Sequence, residues 1–518
     1  MARPDDAPQP PATDEHVADV ESAEAALLDP SMAHIVDMIL RPLGGGVYEA
    51  ASATGRSRFH REPDGHRWRF VVDRVEGVDP IGDQATDRFV PLGDERANLH
   101  PDRSVNAYPH AHEQLAQLFD SPAAPDLVAL HTASHNWADQ GGHLGEHGSM
   151  GVVQARAPFV LAGAGVAARG MVPASCRLVD VAPTVLALLG AEPCGGIGPN
   201  GEHRDDALLA RQDGEVQWSL LDPVGPRPEH VVGFLLDGAN ANVLYDLAAR
   251  GVAPNIARLM AMGTTYAHGA MSSLPTVTLA NHTSILTGAH PGHHGILNNA
   301  WWDRAVGRQV ITNSPATWIT SMDSLDPSVE TLYRAVARAF PGSVTVSVNE
   351  PCDVGADHSI FGLMRAGEPI DRPPPAEELP HSTQRFVRPV KEYQWSSLVD
   401  HAAVEQACGI WSGHYRGRSW PHPRFTWVNF SLTDAAFHEG GPYSEIAEAS
   451  VADTDARIGD VLAAVEAAGA FDRTAFFVVA DHGMEQSDPA CTGNWADALD
   501  ASGVSYRDEG YSFIYVNP

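Results

Sequence analysis

Residues 273–299 read SLPTVTLANHTSILTGAHPGHHGILNN, and Thr278 is the chemical centre of this stretch. The stretch follows a short apolar run at 231–238, VVGFLLDG, in which Asp237 is the only acid, and it opens a predicted helix. A hydroxyl at a helix start lies beside unpaired backbone N–H groups and the positive end of the helix dipole, which together can hold a phosphate. A threonine before an apolar run is also a common helix N-cap, so this stretch needs support from the rest of the chain.

Length, charge and cysteine content exclude several classes of protein. The 518 residues, 43% of them hydrophobic, can bury a large core and predict one large α/β unit or two closely packed ones. With 34 basic against 66 acidic residues the formal net charge is −32, and Lys391 is the only lysine. This balance argues against a nucleic-acid-binding surface or an anionic-membrane surface. The five cysteines are scattered and never spaced as CxxC, so they predict neither a disulfide framework nor a zinc knuckle.

The start of the chain is predicted to be a disordered tail. Residues 1–30 are rich in proline, alanine and acidic residues. They contain no basic region followed by an apolar core, and no later segment has an apolar run of membrane length. We therefore expect a soluble cytoplasmic protein.

Predicted strands and helices alternate along much of the remaining chain. The strands are predicted at 126–134, 158–165, 230–238, 343–351, 425–434, 474–484 and 511–518. Such alternation predicts an α/β fold with a mostly parallel central sheet and helices on both faces. Residues 195–229, rich in glycine, proline and aspartate, are predicted to be a linking stretch, and residues 31–120 carry no functional prediction.

Carboxylate and imidazole side chains follow several of these strands. In open α/β sheets the carboxyl ends of the strands form the crevice where ligands bind. Carboxylate together with imidazole suits zinc, with manganese or iron as competitors. Each of these side chains alone also fits an ordinary turn or a surface pair on a helix. The joint placement of all of them after buried strands predicts a metal centre. His143 competes with His147 for the ligand role in their shared loop. The six candidate ligands are Asp237, Asp434, His438, Asp481, His482 and His147.

These motifs resemble a known enzyme family. The runs PTVTLANH and TGAHPGHHGILNN, the DG at Asp237, DAAFHEGGP at 434–442 and ADHGM at 480–484 are similar to the nucleotide pyrophosphatase/phosphodiesterase branch of the alkaline phosphatase superfamily. The resemblance implies an alkaline-phosphatase-like fold, with Thr278 as the nucleophile and Asn299 as a donor to a phosphate oxygen. It also implies two zinc sites. The first would use Asp237, Thr278, Asp481 and His482, and the second Asp434, His438 and a histidine from a GxHG-type loop.

The position of that last histidine departs from the family pattern. The family places it well downstream of the DHGM strand, whereas this sequence has no histidine after His482. The candidate lies far upstream, at His147 in GEHGSM, and is followed by a strand and a helix similar to the family's usual C-terminal ones. We therefore predict a circular permutation. In this prediction residues 31–210 are the permuted C-terminal portion, residues 211–229 a linker and residues 230–518 the main catalytic portion.

The predicted chemistry is hydrolysis of a small-molecule phosphoester. A zinc-coordinated threonine becomes a usable nucleophile, and two metal ions flank the reacting phosphorus. Monoesterases commonly add arginine or lysine to hold the extra phosphate charge, and residues 271–300 contain neither, which favours a phosphodiester or a nucleotide pyrophosphate. The motifs also fit a phosphomonoesterase, a phosphonoacetate-type hydrolase using Lys391, or a pseudoenzyme with an incomplete second metal site. The sequence makes no prediction of oligomeric state.

Overall fold

Two large β-sheets organise the chain in the computed structural model, which describes residues 13–518 apart from 139–140, 371, 388–390 and 511. The larger sheet has eight strands and carries the predicted parallel core. In spatial order its strands are β19 (His358–Ser359), β18 (Thr345–Val348), β22 (Phe425–Phe430), β13 (His230–Leu236), β23 (Thr474–Val479), β8 (Phe159–Gly163), β14 (Gly263–Tyr266) and β9 (Gly170–Val172).

The strands of this sheet are parallel except for one. Strand β8 runs antiparallel to both of its neighbours, β23 and β14, and the other pairs are parallel. Leu236 at the end of β13 pairs with Phe430 at the end of β22, so the carboxyl ends of the central strands are level. Every residue of β13 is buried, so both faces of the sheet are covered. The predicted fold class is confirmed.

Helices cover the central sheet and connect its strands. The long α15 packs against α13 and α14, and α5 packs against both β13 and α8. No helix within the described residues is both long enough and apolar enough to cross a membrane. The helices are α1 (Asp14–Leu27), α2 (Leu92–Ala97), α3 (Ala111–Leu118), α4 (Val152–Ala155), α5 (Val181–Leu189), α6 (Ala241–Ala249), α7 (Pro254–Met262), α8 (Thr278–Thr287), α9 (Pro291–His294), α10 (Leu332–Ala339), α11 (Ile360–Arg365), α12 (Gln384–Val387), α13 (Lys391–Trp411), α14 (Leu432–Gly440), α15 (Glu445–Ala467) and α16 (Ala496–Ser502).

The second sheet is antiparallel throughout and was not predicted. In spatial order its strands are β25 (Tyr506–Glu509), β26 (Phe513–Val516), β5 (Leu127–His131), β1 (Val36–Gly44), β2 (Val47–Ser52), β3 (Gly55–Asp64) and β4 (Arg67–Gly77). Assigning the strands at 126–134 and 511–518 to the parallel sheet was therefore wrong. Both were read as core strands because short, fully buried strands look alike in either kind of sheet.

Short strands complete the structure around these sheets. Strand β15 pairs with both β10 and β7, and the remaining short strands form four pairs: β11 with β12, β16 with β17, β20 with β21, and β24 with β6. The last of these pairs fixes the loop that carries His147. Their bounds are β6 (Gly145–Glu146), β7 (Arg156–Ala157), β10 (Cys176–Arg177), β11 (Gly196–Ile197), β12 (His203–Arg204), β15 (Ala270–Met271), β16 (Ala300–Asp303), β17 (Arg308–Ile311), β20 (His414–Tyr415), β21 (Arg418–Ser419) and β24 (Glu485–Gln486).

The predicted tail and linker are both more ordered than expected. Residues 14–27 form α1, capped by Thr13 and buried at Ala23 and Leu27, so the prediction of a disordered tail over 1–30 is wrong for this part. Residues 1–12 lie outside the described residues. Within 211–229, Asp213 and Leu220 are buried, so the predicted linker is a packed connection.

Helix α8 lies between the hydrophobic cores of the two sheets. Ile285 and Leu286 belong to the core around the central sheet. Leu279 belongs to the core beneath the antiparallel sheet, together with Leu118 and Val128. The helix is therefore held on two sides, which fixes the position of Thr278 at its first residue.

Candidate functional site

The candidate site lies at the carboxyl ends of β13, β22 and β23. Asp237 directly follows β13, Asp481 lies two residues after β23, and Asp434 lies in the first turn of α14, just after β22. These strands are parallel neighbours with level ends, so the three carboxylates meet at one edge of the sheet. Asp237 is 6% exposed and Asp481 is fully buried, whereas Asp434 is half-buried.

A first group of ligand-type side chains contains Asp237, Asp481 and His482. The His482 Nε2 atom lies 3.2 Å from Asp481 Oδ2 and 3.8 Å from Asp237 Oδ1. The backbone N–H of Gly238 donates to Asp481 Oδ1 over 3.0 Å, which leaves Oδ2 facing the histidine. Four ligands at about 2.1 Å from a tetrahedral ion lie about 3.4 Å apart, and these separations are of that size.

A second group contains His147, Asp434 and His438. The Nε2 atoms of the two histidines are 3.1 Å apart, and Asp434 Oδ1 lies 3.4 Å from His438 Nε2 and 4.0 Å from His147 Nε2. The two groups adjoin, because candidate ligand atoms of Asp237, Asp434 and His482 all lie within 4.8 Å of one another. The structure thus brings the six predicted carboxylate and imidazole ligands together at one edge of the sheet.

The histidines of both groups share one hydrogen-bond pattern. His147 Nδ1 lies 2.8 Å from the Thr276 carbonyl oxygen, His438 Nδ1 lies 2.7 Å from that of Gly145, and His482 Nδ1 lies 2.9 Å from that of Gly483. A carbonyl oxygen only accepts, so each Nδ1 carries the proton and each Nε2 carries a lone pair. Two lone pairs 3.1 Å apart repel unless a cation lies between them. This is the arrangement of metal-binding histidines.

Unpaired buried atoms are a second reason to expect divalent metal ions at these two groups. Among the described residues, four buried ligand-type atoms of these two groups have no hydrogen-bond partner: Asp237 Oδ1, Asp434 Oδ1, Asp481 Oδ2 and His482 Nε2. Buried polar atoms are nearly always paired, so unpaired ligand-type atoms that converge on one place are typical of a cation-binding site. Nitrogen and carboxylate oxygen donors without thiolate suit zinc, manganese or iron.

Ionisation of three buried groups at the site, Asp237, Glu146 and His147, is unfavourable in the protein alone. Burial raises the pKa of Asp237 well above its ordinary value, and the charges of Asp481 and Asp434 raise it further. Burial likewise raises the pKa of Glu146 to about 9, with a further contribution from Asp434. Burial lowers the pKa of His147, and the neighbouring His482 and His438 add to this effect. Bound cations would offset each of these costs.

Thr278 begins α8 next to this centre. Val277 is the N-cap, so the threonine is the first helical residue, and its side chain is half-buried. Thr276, two residues earlier, binds the His147 loop through its carbonyl oxygen and accepts a 2.8 Å hydrogen bond from the Gly148 N–H. The segment that carries the predicted nucleophile is therefore tied directly to the second metal group.

Two other predicted residues, Asn299 and His143, are not members of these two ligand groups. Asn299 is half-buried, its N–H bonds to Asn298, and its carbonyl accepts from Thr312. These hydrogen bonds give it no direct tie to Thr278. His143, the competitor of His147, has a side chain 41% exposed and lies 3.9 Å from Glu146, with its ring 4.6 Å from that of His438. It flanks the second group from the solvent side.

Sequence reasoning missed two buried residues beside the first group. His282 Nε2 lies 3.5 Å from Asp481 Oδ2, and His282 Nδ1 lies 2.9 Å from Glu350 Oε2. Both could have been found. His282 is four residues after Thr278, hence on the same face of a helix, and Glu350 is an acid two residues after β18, like the acids that were found.

Comparison with known proteins gives the chain a family. The family described as type I phosphodiesterase / nucleotide pyrophosphatase matches residues 231–518, more than half of the chain. The alkaline phosphatase PafA of Elizabethkingia meningoseptica is 35% identical over 92 residues, which are 18% of this chain and 17% of that protein. Ectonucleotide pyrophosphatase/phosphodiesterase family member 3 of Mus musculus is 24% identical over 262 residues, 50% of this chain and 25% of that protein. The chain thus spans a quarter or less of the length of these curated relatives.

A solved structure of murine ectonucleotide pyrophosphatase/phosphodiesterase 5 superposes with a TM-score of 0.33 at 17% identity, covering 50% of this chain and 58% of that one. A score this low carries no argument about the site. The family match covers the strands that supply Asp237, Asp434 and Asp481. The chain belongs to the type I phosphodiesterase / nucleotide pyrophosphatase family, a branch of the alkaline phosphatase superfamily.

Proposed function

We propose that this protein is a metal-dependent phosphodiesterase or nucleotide pyrophosphatase that works through a phosphothreonine at a two-zinc centre. The observation that carries the proposal is the convergence of unpaired, buried carboxylate and imidazole atoms at the edge of the sheet. Family membership over residues 231–518 supports the same reaction class. The start of α8 at Thr278 adds a nucleophile on a firmly held helix.

Each proposed ion has its own set of ligands. Bound zinc would supply positive charge that lowers the pKa of the threonine hydroxyl and offsets the charge of the phosphate. The nitrogen and oxygen donors fit zinc without needing a cysteine. The first ion would be held by Asp237, Thr278, Asp481 and His482, and the second by Asp434, His438 and His147.

The protein's own residues account for the bond changes. The Thr278 hydroxyl gives its proton to solvent as Oγ attacks the phosphorus; an Oγ–P bond forms, and the bond from phosphorus to the leaving oxygen breaks, with that oxygen taking a proton from solvent. A water molecule then attacks phosphorus, the Oγ–P bond breaks, and one proton of the water goes to Oγ, which restores the hydroxyl and releases the phosphate product. The N–H groups of the first turn of α8 and the Asn299 amide would donate to phosphate oxygens in both steps.

The balance of charges near the nucleophile favours a substrate with one negative charge per phosphorus. Residues 271–300 contain no arginine or lysine, and the Asn299 amide is neutral. A phosphomonoester carries about two charges and is commonly held by an added arginine or lysine. A phosphodiester or nucleotide pyrophosphate needs no such residue.

A substrate comparison and a variant test this proposal. Zinc-loaded protein should hydrolyse a nitrophenyl phosphodiester faster than the matching monoester, as followed by nitrophenol release. Thr278→Ala should abolish turnover and leave the zinc content of the chain nearly unchanged, because the remaining ligands of both ions are intact. Unchanged turnover in this variant would refute the nucleophile.

A second candidate, phosphomonoesterase, rests on one observation. The 92 residues shared with the alkaline phosphatase PafA are 35% identical, higher than the 24% shared with the pyrophosphatase/phosphodiesterase relative, although over a shorter stretch. A faster rate on the monoester would decide for this candidate and would require a cationic side chain folding in from another part of the chain.

A phosphonoacetate-type hydrolase and a pseudoenzyme both have less support. The phosphonoacetate-type hydrolase would need Lys391 at the site, and the side chain of Lys391 lies outside the described part of the structure. A pseudoenzyme would lack a complete second ligand group, and the 3.1 Å approach of His147 to His438 argues against that. A cytoplasmic location and a small phosphoester as the partner, with no nucleic acid, stay predictions from the sequence.

We also propose that the chain is circularly permuted, with residues 31–210 as the displaced C-terminal portion and 230–518 as the main catalytic portion. In support, β8 from the first portion pairs with β23, and the family match begins at residue 231, just after the connection at 211–229. Asn517 donates to Asp19 over 2.7 Å, so the two ends of the described chain lie close together.

A rearranged chain tests the permutation. It would start at residue 225, after the exposed Val224, and continue from residue 518 through a flexible linker to residue 13. We expect it to fold and bind as many zinc ions per chain as the natural order does. Insoluble or metal-free protein would count against the permutation.

A further inference from the structure

A buried histidine that the proposed reaction does not use lies behind the first ligand group. His282 is 1% exposed and lies one helical turn after Thr278. Its ring is placed between carboxylates on two sides. Nδ1 lies 2.9 Å from Glu350 Oε2, and Nε2 lies 3.5 Å from Asp481 Oδ2 and 3.8 Å from Asp237 Oδ2.

Glu350 is itself firmly held. It is fully buried and lies two residues beyond the end of β18, the strand that neighbours β22. Its Oε1 accepts a 2.9 Å hydrogen bond from the Cys352 N–H, and its carbonyl oxygen accepts one from the Ser347 hydroxyl. A buried carboxylate needs a partner, and the ring of His282 is the group that its second oxygen faces.

This histidine differs from the three histidines of the ligand groups. His147, His438 and His482 each have Nδ1 within hydrogen-bond distance of a backbone carbonyl, whereas His282 Nδ1 makes a 2.9 Å ion-pair contact with a carboxylate oxygen. Its Nε2 faces the oxygens of two ligand carboxylates. The two oxygens of Asp237 are divided between histidines, since Oδ1 lies 3.8 Å from His482 and Oδ2 lies 3.8 Å from His282.

We propose that His282 is a positioning residue for the first metal ion: Glu350 fixes its ring, and its Nε2 orients the carboxylates of Asp237 and Asp481 towards the ion. This inference rests on the proposed two-ion centre. Partners of this kind behind metal ligands typically change metal affinity about 10-fold to 100-fold when they are removed. The pair also connects β18, through Glu350, to the site at the ends of β13, β22 and β23.

Three substitutions and a control distinguish a role of His282 in positioning the ligand carboxylates from a role in packing. In His282→Gln an amide nitrogen can take the place of Nε2 and still face Asp237 and Asp481. In His282→Asn the amide reaches only the place of Nδ1, so it keeps Glu350 but not the two ligand carboxylates. Glu350→Gln keeps the ring in place but removes the charge behind it. His294→Ala is the control, because His294 is also fully buried and packs on α8, 3.1 Å from both Ser284 Oγ and the Ala280 carbonyl oxygen.

Zinc affinity in competition with a chromogenic chelator, measured without substrate, tests the inference. We expect His282→Asn to bind one of two zinc ions about 10-fold to 100-fold more weakly and the other as the wild type does. His282→Gln should bind closer to the wild type, Glu350→Gln should be weakened at the same ion, and His294→Ala should bind both ions normally. If His282→Asn does not fold, Glu350→Gln carries the test.

Affinities for both ions within about twofold of wild type in His282→Asn and Glu350→Gln would overturn the inference, since removal of such a partner costs at least about 10-fold. An equal loss of affinity in His294→Ala would do so too, since it would assign the effect to general loosening of α8. The proposed function fails by a different readout, namely absence of phosphodiester turnover by the zinc-loaded wild type. The two failures are therefore distinguishable.

Discussion

His147 and His143 sit in the same loop but face different surroundings, and this sets different expectations for them. The His147 side chain is 3% exposed, and its Nε2 lies 3.1 Å from His438 Nε2, whereas the His143 side chain is 41% exposed. Removing His147 leaves the second ion with two protein ligands. We expect His147→Ala to lose about one zinc per chain and His143→Ala to keep both, as measured by elemental analysis after dialysis. The reverse order would show that the ligand assignment is wrong.

At the level of single residues, the metal ligands were predicted by one rule: an acid or histidine that comes just after a buried strand is a candidate ligand. It located Asp237 and Asp481 from the sequence, because an acid after a buried run is visible without a structure. It missed His282 because the residue was read as part of an apolar helix. It missed Glu350, although this acid lies at the end of the strand predicted at 343–351, because nothing local marks that strand as a neighbour of β22. Contacts between elements distant in sequence are what the sequence leaves open.

One side chain, that of Asn281, makes three hydrogen bonds to the segment that leads into α8. Asn281, fully buried, accepts from the Ser273 N–H over 2.7 Å and donates to the carbonyl oxygens of Ser273 and Pro275. In Asn281→Ala these groups lose a buried partner, which costs about 2 kcal/mol of unfolding free energy and displaces Thr278. We expect turnover to fall more than zinc content, measured on the same preparation. In the control Asn255→Ala, which removes hydrogen bonds to Asp455 on α15, stability should fall while turnover per folded molecule is kept.

The turn after β13 leaves no room for a side chain at Gly238. This glycine has a φ of +63°, and an added Cβ would lie 2.6 Å from Asp434 Oδ1. Gly238→Ala should therefore displace a ligand carboxylate, and we expect it to weaken binding of the second zinc ion in chelator competition. Gly251→Ala is the matched control, because φ is +77° there and nothing lies within 4 Å of the added carbon. Both variants should lose about 1 kcal/mol of stability to backbone strain, so zinc affinity lost equally in both would contradict the steric argument.

At the level of elements, helices and strands were easier to predict than their partners. The strands β13, β22 and β23 are buried runs of six or seven residues followed by acids, and their parallel pairing follows from the helices between them. Strands β5 and β26 are equally apolar but pair with each other in the antiparallel sheet, although more than 380 residues separate them along the chain. Helix α1 was missed because alanine and acidic residues suit a disordered tail as well as an amphipathic helix.

Across the whole molecule, the antiparallel sheet, helix α9 and the connection at 211–229 meet at a buried ion cluster. His293 follows α8 in α9, and its Nδ1 lies 2.6 Å from Asp213 Oδ2, in the connection at 211–229. Its Nε2 lies 3.0 Å from Asp120 Oδ2, just after α3. Asp120 is also bound by Arg61 of β3. The sequence showed each of these residues but not their meeting, because they come from four separate segments.

Titration of this cluster predicts how stability varies with pH. Burial opposes protonation of His293, but the charges of Asp213 and Asp120 outweigh burial and raise the pKa of the histidine. The charged histidine therefore stabilises the folded protein fully below the unfolded pKa of about 6.5. This stabilisation is lost as the pH rises through the folded pKa. His293→Gln should lower the unfolding free energy by about 3 kcal/mol at pH 6, since it removes the charged partner 2.6 Å from the buried Asp213 and leaves that acid only Arg211 at 3.4 Å, and by less at pH 9. Urea unfolding of both proteins at the two pH values measures this. His203→Gln, which breaks an exposed pair with Asp205, should change stability by less than about 0.5 kcal/mol at either pH. An equal loss at pH 6 and pH 9 for His293→Gln would mean that the histidine is not charged in the folded protein.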